Sequence, residues 1–124
     1  MKHYLDIKNR SSFSFPESFI DAISATPEVD IEPWWFIVFE DGSVDCWYHT
    51  LKKLYPKRDL IPFAKFNAND DIACFDGNDN CHNPQVFIIH TFASEGWELH
   101  NTYKNFNTWF RHAIDEHAAW SSEE

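Results

Sequence analysis

The chain has 124 residues, enough for one hydrophobic core and one domain over residues 1–124. Twenty acidic residues against 10 basic ones give a formal net charge of −10, which disfavours nucleic acid and anionic membrane surfaces and favours a basic partner. Aromatic residues make up 18%, and each buries on the order of 150–250 Å², so the core needs no disulfide or metal staple.

The opening "MKHYLDIKNRSSF" lacks the apolar stretch of a signal peptide. The first predicted element is a short helix over 14–26. Ser14 and Glu17 have capping-box spacing, Pro16 falls in the first turn, and Pro27 ends it. Phe15, Phe19, Ala22 and Ile23 share one face. "PWWFIVF", 33–39, reads as a buried strand. It contains the longest strongly apolar run, Trp34 to Phe39, far too short to span a membrane.

Asp41-Gly42 suggests a hairpin, but Val44, Trp47, Tyr48, Leu51 and Leu54 recur at helical spacing. Length decides for a helix over 43–55, with Ser43 as its N-cap and Pro56 beyond its end. Three strands follow, 60–66, 71–76 and 85–91, joined by "NAND" and "GNDNCHNP" as an antiparallel meander. Residues 92–100, "FASEGWELH", read as an irregular loop. The last helix is capped by Asn105 and carries Phe106, Trp109, Phe110, Ala113, Ile114 and His117 on its apolar face, with His117 read as a core or partly buried histidine, leaving Arg111, His112, Asp115 and Glu116 solvated. The tail 121–124 is expected to fray. Helices segregated around an antiparallel sheet define an α+β fold.

Catalytic patterns are missing. Three glycines, Gly42, Gly77 and Gly96, cannot build a phosphate-cradling loop or a dinucleotide fingerprint, and no Gly-x-Ser-x-Gly elbow occurs. Asp70 and Asp71 are adjacent. On a strand they would face opposite sides and could not share a substrate; the reading adopted is a solvated turn. "DGNDN", Asp76 to Asn80, imitates the start of a calcium loop. Cys81 stands where glycine is needed and Phe87 where the bidentate glutamate is needed. Cys74, Cys81 and His82, with His90 as a fourth candidate, lack a recognised zinc spacing, so no metal or cofactor is expected. Three cysteines without a framework spacing imply reduced thiols and a cytoplasmic location. Cys74 in an apolar strand should be unreactive. Trp97, between Glu95 and Glu98, is either an anchor for a basic partner or a lid folded onto the core.

"PWWFI", "LYPKRDLIPFAKF", "DDIACFD", "IIHTFASEGWE" and "NFNTWF", in this order, resemble the SUKH superfamily, the fold of the yeast Smi/Knr cell-wall regulators. The resemblance runs from about Pro33 to Phe110. It implies an α+β domain that binds proteins without catalytic residues. Many bacterial members resemble immunity proteins of polymorphic toxin systems, whose partners are often nucleases or deaminases. The expectation is a non-catalytic immunity protein that neutralises a basic intracellular toxin. The alternatives are a small metal-dependent or hydrolytic enzyme and a regulatory scaffold. The expected partner-facing residues are Asp70, Asp71, Asp76 and Asp79 for charge steering, and Trp97 with Glu95 and Glu98 as the anchor. The two groups can act together only if their connections meet at one edge of the sheet.

Overall fold

The computed structural model describes residues 13–67, 69–79 and 82–122. All but the last residue of the segment read for a leader, residues 1–12, lie outside the described residues, as do Ala68, Asn80, Cys81, Glu123 and Glu124. The elements are α1 (Glu17–Ile23), β1 (Trp34–Phe36), a 3-10 turn (Ile37–Phe39), α2 (Ser43–Leu54), β2 (Leu60–Phe66), β3 (Asp71–Asp76), β4 (Val86–His90), β5 (Leu99–Tyr103) and α3 (Phe106–Ser122).

All pairings between neighbouring strands are antiparallel, in the order β1-β2-β3-β4-β5. The expected meander is present, with a further strand at each edge. Pro62 sits inside β2 although it cannot donate to a ladder. It is tolerated because β1 runs beside Ala64–Phe66 only, and a bulge between Pro62 and Ala64 re-registers the strand against β3.

Side-chain alternation sends two apolar sets to opposite faces of the sheet. Ile61, Phe63, Ala73, Phe75, Val86 and Ile88 pack with Phe19 of α1 and with Phe106, Trp109 and Ala113 of α3. Leu60, Ile72, Cys74 and Ile89 pack with Leu51 of α2 and with Tyr55 just beyond it. The sheet is therefore covered by α1 and α3 on one side and by α2 on the other.

Four local expectations need correction. Ser14 does not cap α1; Pro16 occupies the N-cap position without a side-chain hydrogen bond. Proline disfavours helical geometry at the residue before it, so Phe15 cannot belong to the helix. Phe13 and Phe15 instead turn their rings onto Phe75, 6.0 and 6.1 Å away. Trp34 to Phe39 is not one strand. The 3-10 turn after Phe36 lets Ile37 and Val38, adjacent in sequence, both enter the core, which strand alternation would forbid. Gly42, not Ser43, is the N-cap of α2, because its φ of +80° suits a residue without Cβ. Ser43 Oγ donates to Glu40 Oε1 instead. Finally, α3 continues through Ser122 rather than fraying from Ser121.

Cys74 is fully buried, and burial pushes its thiol well above the usual range. Native protein treated with iodoacetamide should therefore be alkylated at exposed Cys46 and not at Cys74. Peptide mapping by mass spectrometry checks this, and labelling of both at similar rates would contradict the packing described here.

Candidate functional site

Asp71 is not in the turn. It opens β3, pairs across the sheet with His90, and is only 7% exposed. Its carboxylate lies 2.9 Å from His90 Nδ1 and 3.3 Å from His100 Nδ1. Asn69 Oδ1 accepts the Asp71 backbone N–H at 2.8 Å, so the turn closes on an asparagine. Asp70 remains exposed. Its carbonyl accepts both the N–H and the hydroxyl of Thr91, at 3.1 and 2.7 Å. The two bonds tie the β2–β3 turn to the β4–β5 connection. The connections that carry Asp70 and Trp97 thus meet at one end of the sheet.

Asp76 and Asp79 belong to the other end. Asp76 closes β3, about 17 Å from Asp71 at the usual strand rise. Its Oδ1 accepts the Asn78 N–H, and Asp79 Oδ2 accepts the Gln85 N–H. These two carboxylates shape the β3–β4 turn, at the opposite end of β3 from Asp71. The second half of the calcium-like run, Asn80 and Cys81, lies outside the described residues. Among the described residues, no three His, Cys, Asp or Glu side chains are placed to hold a metal ion.

Glu98 is 4% exposed and braces the loop rather than facing solvent. It accepts from Arg58 Nε at 2.5 Å and from the Gly96 N–H at 2.6 Å. Burial alone would raise its carboxyl pKa. The hydrogen bonds and charge of Arg58, with the Gly96 N–H, outweigh burial and hold it below the usual range. Tyr55 Oη donates to the Ala93 carbonyl at 2.8 Å, which fixes the same loop from the end of α2. Lys57 and Arg58 border the groove beside Glu95 and Gly96. The ring of acids that the sequence suggests around Trp97 is therefore half neutralised.

What this braced loop displays is aromatic. Trp97 is 81% exposed, Phe92 65% and Leu99 42%. Phe92 holds a φ of +68°, a strained conformation for a bulky residue, which persists only where the surrounding bonds over-determine it. Trp97 is not a lid on the core. Trp97→Ala should change unfolding free energy by no more than about 0.5 kcal/mol in a denaturant titration, as expected of a surface site. A loss above about 2 kcal/mol would contradict this placement.

Of the residues expected on the solvated side of α3, Arg111 and Asp115 are exposed, while His112 and Glu116 border the sheet. Glu116 Oε1 accepts the Trp34 indole N–H at 3.0 Å and lies 3.2 Å from His112 Nε2. His117, expected on the buried face, is 24% exposed and reaches the Glu32 carbonyl through Nδ1 at 2.7 Å. Glu116, His112, Asp71 and His100 line one cleft between α3 and the sheet. Sequence reasoning missed it because its members come from β3, β5 and α3, with no shared spacing.

An antiparallel sheet covered on both faces, with a braced aromatic loop at one end, places the molecule among α+β domains whose most prominent exposed feature is a surface. The chain belongs to the SMI1/KNR4 family (SUKH-1), whose family model matches residues 5–112. The match begins well before Pro33 and takes in α1. No curated protein and no solved structure matches the chain. No described helix is long and apolar enough to cross a membrane.

Proposed function

We propose that this protein is a non-catalytic binding module, an immunity protein that sequesters a basic toxin in the cytoplasm. The observation that carries the reading is the loop from Thr91 to Glu98, tied down at Thr91, Ala93 and Glu98 and displaying Phe92 and Trp97. A rigid scaffold that exposes large aromatic side chains loses little entropy on binding. Such side chains are frequent hot spots at protein interfaces. The formal charge of −10 and the family membership support the same reading. On it, Asp70 and Glu95 steer the encounter and Trp97, with Phe92 and Leu99, anchors the complex. Asp76 and Asp79 lie at the other end of the sheet, at the periphery of that contact, and Asp71 and Glu98 act from beneath it.

Affinity capture from the native host, identification by mass spectrometry and reconstitution with the purified partner test this. The expected result is a stoichiometric complex with a basic protein whose toxicity is suppressed by co-expression. Turnover of a small molecule, with no protein partner recovered, would overturn it.

A further inference from the structure

We propose that the cleft between α3 and the sheet receives an arginine side chain of the partner, an inference that rests on the protein-binding reading above. The cleft measures about 300 Å³, the lower end of the range for ligand sites. One wall is Asp71 with His100, the other is Glu116 with His112, and the rings of Trp34 and Tyr103 complete it. Among the described residues no lysine or arginine lines it; the Lys65 ammonium acts on Asp71 from outside the cleft and is itself bonded to the Phe66 and Asn69 carbonyls.

The carboxylates are pre-positioned. The Asp71 side chain is 10% exposed, and each of its oxygens is held by a histidine. Glu116 is fixed at Oε1 by Trp34 and His112, while no donor among the described residues reaches its other oxygen. The basic run Lys52, Lys53, Lys57 and Arg58 belongs to α2 and the turn after it, on the opposite face of the sheet. It does not line the cleft.

The shape and chemistry select a guanidinium. A planar fork makes paired hydrogen bonds to carboxylates, and its flat face stacks on indole or phenol rings. An ammonium offers neither planarity nor a paired geometry. A metal ion is disfavoured because no three ligating side chains converge here among the described residues. The cleft adjoins the Asp70 end of the sheet, because Asp71 and Asn69 both line it. A partner seated on the Trp97 loop can therefore reach it.

The test uses Nα-acetyl-arginine amide, titrated into ¹⁵N-labelled protein while the Trp34 indole N–H resonance is followed. A saturable shift with a Kd of about 1 mM is expected for so small a ligand. Nα-acetyl-citrulline amide, the neutral isostere, should shift that resonance at least tenfold less at equal concentration. Glu116→Gln retains an acceptor for Trp34 and should raise the Kd at least tenfold. Equal shifts from citrulline and arginine, or no shift with arginine up to about 20 mM, would overturn the proposal. An unchanged Kd in a folded Glu116→Gln variant would also overturn it. The measurement needs no partner, so its failure leaves the protein-binding reading standing. Failure of partner capture would not by itself remove the arginine site.

Discussion

A Phe63→Ala variant should lose about 3–5 kcal/mol of stability, the usual cost of emptying a buried phenylalanine site. Phe63 is fully buried on the face covered by α1 and α3. Its ring stacks on Phe75 at 4.3 Å and meets Trp109 edge-on at 4.9 Å. Phe19 and Phe106 close the group at 5.6 and 5.7 Å. These rings come from four separate elements, so the cavity left by truncation cannot collapse without moving a helix. Against a total of about 5–15 kcal/mol, such a loss brings the domain near its unfolding threshold. The midpoint of thermal unfolding should fall by roughly 10–25 °C. A shift of less than about 3 °C would mean that the aromatic cluster is not the centre of the core.

Removing Arg58 should be the next most damaging change, through Glu98. Arg58→Ala leaves a carboxylate whose side chain is 5% exposed without its cation. Orphaning a buried charge costs about 3–5 kcal/mol, and the lower figure is expected because Arg58 itself is 30% exposed and water can enter. The pH dependence carries the signature. In the parent protein the Glu98 carboxyl is held below its usual range, so its contribution is present above about pH 4.3 and is lost as pH falls through the depressed value. In Arg58→Ala, burial raises the carboxyl instead, and acidification relieves the orphaned charge. The stability difference between the two proteins should be about 3 kcal/mol at pH 7 and shrink progressively as pH falls below the usual carboxylate range and through the depressed value. A difference that stays constant across that range would show that Arg58 acts through packing on Phe87 alone.

The same two regions show how far the sequence could be read. The helical spacing of Phe106, Trp109 and Ala113 and the apolar runs of β2, β3 and β4 were legible, because each element buries a continuous apolar face. β5 was not. It is an edge strand whose first four residues are exposed, so "LHNTY" carries no alternation to detect. The role of Glu98 was also hidden. It depends on Arg58, 40 positions away, and its neighbours Glu95 and Trp97 made it look like part of an exposed acidic loop. Asp71 and Glu116 were misplaced for the same reason. Each is held by side chains brought close only by the folded sheet. Trp97 stood out in the sequence as either an anchor or a lid; that it is exposed depends on Tyr55, Arg58 and Asp70 bracing the loop from outside it.

In the proposed function, the Trp97 end of the sheet binds a basic protein. The most direct test is the kinetics of association with the captured partner as ionic strength rises. Association should be fast at low salt and slow markedly as salt screens Asp70 and Glu95. Asp70→Asn with Glu95→Gln should flatten that dependence. Trp97→Ala should raise the dissociation rate about thirtyfold, the equivalent of a 2 kcal/mol hot spot, with no change in thermal stability. Association that ignores salt, together with an unchanged dissociation rate in Trp97→Ala, would contradict the assignment of this surface.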